Sequence, residues 1–538
     1  MIKQILSNKS KTITGAAIIL GAASFVSRLI GIGRDRVFAH LFGAGEILDT
    51  YYAAFRIPDL MYNLVIVGAL SAGFIPIFTK LLTKDKDEAW KVTSGIINIL
   101  GISLVILSTI LFLFTPQLLS LLVPGFTVEQ LTITSQLTRI MFLSPLILGL
   151  SSIVSGVLQS FKSFFIYALT PIVYNIGIII GAIFLVPIFG LNGLAFGVVL
   201  GAVFHLGIQL PAFLKHGFKY KREFQWKNKH VRQIGKLMIP RTLGLATTQI
   251  NLLVITILAS TIGAGSIAVF NFANNIQHFP IGIIGISFAI AAFPTLSQFF
   301  AEDKKTQVIE HLTQAIRQII FFIIPMSVIF LLLRAQIVRV ILGSGQFTWT
   351  DTILTSNTLA FFTLSLLAQA LIPLLIRVFF AMNDTWTPFL IGLISALINI
   401  ILGVYLKNIL GVSGLALAFS LSMTVQLILL WIVLRGKLGT LKEGQMLQSI
   451  NKIAAAALFM ATFIQLIKIP LASVVNMTKL WGIFTQGLIA GILGLLIYGV
   501  ICRMMNLEEM MQFQSSLQKR FLKLKNIQRG EITEADEI

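Results

Sequence analysis

The chain has 538 residues, of which 56% are hydrophobic and 12% charged, and its mean hydropathy is +0.90. Soluble proteins average roughly 45–50% apolar and about 25% charged residues, so a soluble enzyme and a disordered scaffold are both excluded. The 41 Lys and Arg against 21 Asp and Glu leave a net charge of +20, and in a membrane chain that excess reflects basic cytoplasmic loops rather than nucleic acid.

Apolar runs near the roughly twenty residues that cross a bilayer recur from Ile13 to Cys502. In chain order they predict fourteen spans, at 13–33, 49–79, 93–114, 136–158, 164–187, 191–213, 234–259, 265–299, 309–333, 353–382, 387–406, 412–434, 450–467 and 480–502. The first contains Arg28 and lacks a small-residue cleavage site, so it reads as a span and not as a signal peptide. The second, eighth and tenth are long enough to break, with Pro58, Pro76, Pro280, Pro294 and Pro373 as break points. Trp90, Trp349, Trp386, Trp431 and Trp481 fall near span ends, as interfacial tryptophans do. The segment Lys215 to Lys236 carries eight basic residues and the 115–130 stretch none, which places both termini in the cytoplasm. Cys502 is the single cysteine, so no intramolecular disulfide forms.

The spans repeat. Gly43-Ala44-Gly45 recurs as Gly263-Ala264-Gly265, Phe74-Ile75-Pro76 as Phe293-Pro294, and Thr170-Pro171 as Thr387-Pro388. Gly190-Leu191-Asn192-Gly193 recurs as Gly411-Val412-Ser413-Gly414, and the offsets all lie between 217 and 221. Each copy holds six spans, an even number, so the copies share one orientation, as in transporters built from parallel repeats. The expected fold is an all-α polytopic membrane protein of two six-helix lobes around a central cavity, with two extra helices. The lobes are 1–223 and 224–440, the additional spans occupy 441–503, and 504–538 is a cytoplasmic amphipathic, charged tail. In that tail Met510, Phe513, Leu517, Phe521 and Leu524 are spaced by three and four, the pattern of an interfacial helix.

Ionisable residues are costly in hydrocarbon, about 2.5–3.5 kcal/mol at a helix centre, and the first copy is rich in them. Arg28 and Asp35 are seven apart on one face, flanked by Arg34 and Arg36. On span two Asp49, Arg56, Asp59 and Asn63 form one polar stripe. The stripe suits either an anionic substrate group, which the planar guanidinium fork binds well, or interhelical ion pairs that serve packing. In the second copy Asn271, Asn274, Asn275, Gln277 and His278 stand where that stripe falls, either as neutral donors to a sugar or peptide or as ordinary helix contacts. Arg241 and Arg377 are candidates to line the cavity, although Arg377 could equally snorkel to an interface. The six histidines are scattered, no phosphate-binding P-loop is present, and Asp85, Asp87 and Glu88 sit among lysines as a solvated turn. These features argue against an enzyme, a metal site and a cofactor.

Ser27-Arg28-Leu29-Ile30-Gly31-Ile32-Gly33-Arg34-Asp35, Phe42-Gly43-Ala44-Gly45 with Asp49, and Ala54-Phe55-Arg56-Ile57-Pro58-Asp59-Leu60 resemble the amino-terminal signature of the MurJ/MviN lipid II flippases. Gly68-Ala69-Leu70-Ser71 and Phe74-Ile75-Pro76 continue that signature, and Pro124-Gly125-Phe126, Gly345-Gln346-Phe347-Thr348 and Asp384-Thr385 with Thr387-Pro388 resemble later motifs of that family, which belongs to the MOP exporter superfamily. The resemblance implies a flippase that moves undecaprenyl-diphosphate-linked peptidoglycan precursor from the inner to the outer leaflet of the bacterial cytoplasmic membrane by alternating access. It implies a monomer whose partners are that lipid-linked oligosaccharide and membrane lipids, not nucleic acid. Alternatives are another exporter of the superfamily, such as an O-antigen-type flippase or a multidrug antiporter, or a membrane-embedded transferase. By resemblance Arg28 and Arg34 face the cavity and Asp49 matches a family aspartate; with Asp35, Arg56, Asp59 and Asn275 they form the expected substrate-binding set. The chain departs from many members at Tyr62 and Asn275, where they carry arginine, and at Val67, where they carry an acid. A family sodium site with carboxylates on spans seven and eleven is not carried over, since 237–260 and 387–406 contain neither Asp nor Glu.

Overall fold

The computed structural model describes residues 13–67, 73–222, 224–516 and 518. The first copy opens with α1 (Ile13–Phe42) and α2 (Glu46–Tyr62), then a π-helical turn at Asn63–Val67. It continues through α3 (Ile75–Lys84), α4 (Lys86–Leu113), α5 (Thr115–Leu122), α6 (Val128–Met141) and α7 (Leu143–Ser160). It closes with α8 (Phe164–Ile180), a π turn at Gly181–Leu185, α9 (Val186–Phe189), α10 (Asn192–Gly207) and α11 (Leu210–Lys215).

The second copy runs through the same series. It comprises α12 (Lys229–Ser260), α13 (Ser266–Pro280), a π turn at Ile281–Ile286, α14 (Ser287–Ala301), α15 (Lys305–Leu332), α16 (Arg334–Leu342), α17 (Trp349–Thr363), α18 (Leu366–Ala381), α19 (Trp386–Leu410) and α20 (Val412–Leu438). The repeat is visible element by element: α4 and α15 are both 28 residues long, with starts at Lys86 and Lys305. The π turns that begin at Asn63 and Ile281 fall at the same point of each copy. Two long helices, α21 (Glu443–Val474) and α22 (Leu480–Met504), follow.

All fourteen expected spans have helical counterparts. Among the described residues ten helices or continuous helix runs are long and apolar enough to cross a bilayer, and α17 with α18 makes an eleventh, broken span. The others lie in α1, in the α2-to-α3 region and in α12, which carry the charged residues of spans one, two and seven. Large apolar side chains such as Leu458 and Ile401 are 70% and 68% exposed, as expected where lipid is the solvent. This is a multi-pass membrane protein.

The breaks differ in place from the proline positions. Pro58 lies inside α2, and the π turn begins five residues later. Without an N–H, Pro58 frees the carbonyl of Ala54, which lies 3.3 Å from the Thr138 hydroxyl, itself a donor to the Thr134 carbonyl at 2.8 Å. Pro280 does end its helix at a π turn, whereas Pro373 lies within α18, seven or more residues beyond the break of span ten. Trp90 faces protein rather than the surface. It is 6% exposed in an aromatic cluster with Phe78, Phe161, Phe213 and Phe218, because the amphipathic α3 and the 213–218 turn cover it.

The chain forms two compact units. The first comprises Met1–Ile276, Ile341–Phe361 and Gly392–Ser422; the second comprises Gln277–Val340, Phe362–Ile391 and Met423–Ile538. In the first, α1 packs on α8, α2 on α6, and α8 on α10. The α8–α10 seam is built on glycine: a Cβ on Gly177 would lie 2.3 Å from the Cα of Gly201, and one on Gly181 2.3 Å from the Cα of Gly197. Small residues let membrane helices approach backbone to backbone, and this approach fixes Tyr174 and His205 relative to each other. In the second unit α15 is the hub, packed by α14, α18 and α21. The Tyr498 hydroxyl of α22 donates to the Phe321 carbonyl at 2.8 Å.

The tail begins by docking on its own unit. Residues 508–516 are helical, Leu507 and Glu509 are buried, and Arg317 of α15 donates to Glu509 at 2.6 Å and to Glu508 at 2.8 Å. Phe513 packs edge-on against Phe322. Phe521, Leu524 and the distal lysines lie outside the described residues.

Candidate functional site: an arginine-lined pocket in the first compact unit

The stripe on α2 divides by depth along the helix. Asp49, only 2% exposed, accepts the backbone N–H groups of Gly265 and Ala268 at 2.6 and 2.8 Å. Its carboxylate thus satisfies the orphan donors at the start of α13, where an anion is favoured. The Gly263-Ala264-Gly265 turn needs that placement: Gly265 has φ +84°, and a Cβ there would lie 2.0 Å from the Ala44 carbonyl oxygen. The two copies of the Gly-Ala-Gly motif therefore touch, and Asp49 is a cap.

Two helical turns further on, Arg56 and Asp59 line a cavity of about 460 Å³. Arg34, Tyr51, Tyr52, Tyr62, Tyr174, His205, Asn271 and Asn275 also line it. The Arg56 guanidinium donates to Thr256 Oγ1 and to Asn271 Oδ1, both at 2.9 Å. Both acceptors are neutral. Asp59 is held by Asn63, whose amide donates to it at 2.9 Å.

Arg34 is part of a second cluster. It donates to Asp35 at 2.8 Å and to Asn175 at 3.1 Å, and Asn275 donates to the other oxygen of Asp35 at 2.8 Å. Asp35, 4% exposed, orients both groups from behind the wall. Arg28 is partly exposed on the same helix and is not among the lining residues.

Of the expected set, Arg34, Arg56, Asp59 and Asn275 come together at the pocket, Asp35 supports them, and Asp49 and Arg28 stand apart. Asn271 and Asn275 are the members of the amide cluster that face the pocket; Gln277 instead accepts from Gln369 at 2.9 Å within the second unit. Arg377, also in the second unit, donates to the Pro373 carbonyl at 3.3 Å, and the Arg241 side chain lies outside the described residues. Tyr62 bonds Ser152 at 3.2 Å. Tyr51, Tyr52, Tyr174 and His205 carried no sequence signal of their own. The loop acids are helix caps: Asp85 accepts from the Glu88 N–H, and Asp384 from the Thr387 N–H and hydroxyl. Among the described residues no three His, Cys, Asp or Glu side chains converge as a metal site. Where spans seven and eleven meet, Asn399 donates to Asn251 at 2.7 Å as a buried neutral pair.

The repeated six-span membrane bundle is a fold shared with solved transporters of the MOP superfamily. An inward-facing multidrug MATE transporter of that superfamily shares the fold at a TM-score of 0.66 and 16% identity, covering 78% of this chain and 96% of that one. The family described as lipid II flippase MurJ matches residues 38–485, and the chain belongs to it. A solved lipid II flippase MurJ in an inward closed conformation aligns at a TM-score of 0.77 with 27% identity, over 91% of this chain and 99% of that one. A probable lipid II flippase of Buchnera aphidicola from Schizaphis graminum is 30% identical over 421 residues, 77% of this chain and 82% of that protein. Its Vibrio cholerae counterpart is 29% identical over 434 residues, 78% and 83% of the respective chains.

Proposed function

We propose that this protein flips lipid II, the undecaprenyl-diphosphate-linked peptidoglycan precursor, from the inner to the outer leaflet of the bacterial cytoplasmic membrane. The observation that carries the reading is Arg56: a guanidinium on the wall of a pocket within the spans, whose hydrogen bonds among the described residues go to the neutral acceptors Thr256 and Asn271. Its charge is available to an anionic group in a medium where Coulomb attraction is stronger than in water. Arg34, whose Nε and Nη2 are held by Asp35, presents its remaining N–H groups beside it, and Asn271 and Asn275 supply neutral polar groups. A drug-cation antiporter would place net acidic groups there instead.

In this reading the protein acts as a monomer with both termini in the cytoplasm. The six-span lobes 1–223 and 224–440 alternate access to the two sides, 441–503 adds two lipid-facing spans, and 504–538 lies on the cytoplasmic surface. Arg34 and Arg56 bind the diphosphate, Asp35 and Asp59 orient the wall, Arg28 guides the entering head group, and Asp49 holds the turn that frames the pocket. The test is depletion of the protein in its host, with expected accumulation of lipid II on the inner leaflet and rescue by the wild-type gene. Accumulation of a different lipid-linked precursor would overturn the substrate assignment.

A further inference from the structure

The pocket contains one group with a fixed chemical state that the diphosphate does not require. His205 on α10 lines it, and behind the ring lies a closed hydrogen-bond circuit. Gln209 donates through Nε2 to the His205 carbonyl at 2.8 Å and to Ser151 Oγ at 2.8 Å, while its Oε1 accepts from Ser155 Oγ at 2.7 Å. A carbonyl only accepts, so the Gln209 amide cannot be turned round without setting oxygen against oxygen. Ser151 is fully buried, and its hydroxyl accepts from Gln209, so its proton goes to its remaining partner, His205 Nδ1, at 2.7 Å. Nδ1 is therefore unprotonated and Nε2 carries the hydrogen.

Among the described residues Nε2 has no partner. Tyr174 stands edge-on to the ring with centroids 6.4 Å apart, so the ring is held in place. The circuit rests on Ser151, Ser155, His205 and Gln209, and the equivalent positions of the second copy, near Ile372, Ile376, Gln426 and Leu430, do not repeat it.

We infer that His205 is a specificity-determining residue: a neutral Nε2–H donor, locked in one tautomer by Ser151 and Gln209, that recognises an uncharged acceptor oxygen on the glycan or peptide part of the substrate. The inference rests on the proposed flippase function. Taking up a second proton would cost His205 its bond from Ser151, so the ring does not act as a third cation for the diphosphate. Its chemistry matches a sugar hydroxyl or amide carbonyl. A site built to hydrogen-bond such a group discriminates against ligands that lack it, because the buried donor is then left unpaired.

The experiment compares binding of two lipids, lipid II and undecaprenyl diphosphate without glycan, to the full chain in nanodiscs. His205→Asn keeps an acceptor for Ser151 but withdraws the donor from the pocket, and should weaken lipid II binding roughly three- to tenfold with undecaprenyl diphosphate changed less than about twofold. His205→Gln, whose amide nitrogen reaches the Nε2 position, should restore lipid II binding to within about twofold of wild type. His205→Phe fills the ring volume without a donor and should match His205→Asn, which keeps the test valid if one variant fails to insert. Equal weakening for both lipids, no weakening, or failure of His205→Gln to rescue would each overturn the inference. Wild-type protein that binds neither lipid would overturn the proposed function instead.

Discussion

Replacing Arg56 by alanine separates binding from stability. The guanidinium bonds Thr256 and Asn271 as a donor, so its loss leaves two oxygens and no orphaned N–H. Thr256 keeps its bond to the Leu252 carbonyl at 2.9 Å, and the Asn271 amide keeps Ile267 at 2.7 Å. Removing a charge that is costly to bury relieves the fold, while Asp59 on the next turn loses a nearby opposite charge; the two effects oppose, so the variant should insert and melt close to wild type. Binding should respond differently. A hydrogen bond to a charged group contributes about 1.5–3 kcal/mol, which converts to roughly ten- to 150-fold in dissociation constant for an anionic lipid. Arg56→Lys keeps the charge but loses the fork and should fall between wild type and alanine. The assays are lipid II binding in nanodiscs and rescue of flippase-depleted cells, with abundance and thermal stability measured beside them. Lipid II binding by Arg56→Ala within twofold of wild type, at normal abundance, would show that the diphosphate is bound elsewhere.

Asp49→Ala should leave the buried N–H groups of Gly265 and Ala268 unsatisfied and cost about 2–4 kcal/mol, read as a lower melting temperature in detergent, with Asp49→Asn intermediate. Asp384 sits in the loop before α19; burial pushes its carboxyl up, but bonds from Lys437 and Thr387 outweigh that and hold it at about 2. Its pKa is depressed in the fold, so its contribution is present above the unfolded value near 3.9 and is lost as pH falls from about 4 towards 2. Asp384→Asn should flatten that part of the acid-unfolding curve, and an unchanged curve would refute the assignment. At the tail, Arg317→Ala strands the buried Glu509 carboxylate and should cost about 3 kcal/mol or more, whereas Glu508→Ala, at an exposed partner, should cost under about 1 kcal/mol. Truncation before Leu507 should lower the melting temperature.

The membrane class, the repeat and the spans were legible in the chain because each is a property of consecutive residues: apolar runs set by bilayer thickness, and motifs returning at one offset. The family could be read from the blocks around Arg28, Asp49 and Arg56 for the same reason. Tertiary structure decided what those residues do. Asp49 and Arg56 do share a helix face, but seven residues at 1.5 Å each separate them by about 10.5 Å along the axis, enough for one to cap α13 and the other to enter the pocket. Arg28 and Asp35 also share a face, yet Asp35 is committed to Arg34 and Asn275, since Asn275 comes from 240 positions away. Tyr174 and His205 reach the wall through the glycine seam of α8 and α10, whose glycines were visible while their partners were not. Periodicity specifies which side a residue faces; the depth it occupies and the atoms opposite depend on helices distant in sequence, so the pocket exists only in the folded chain.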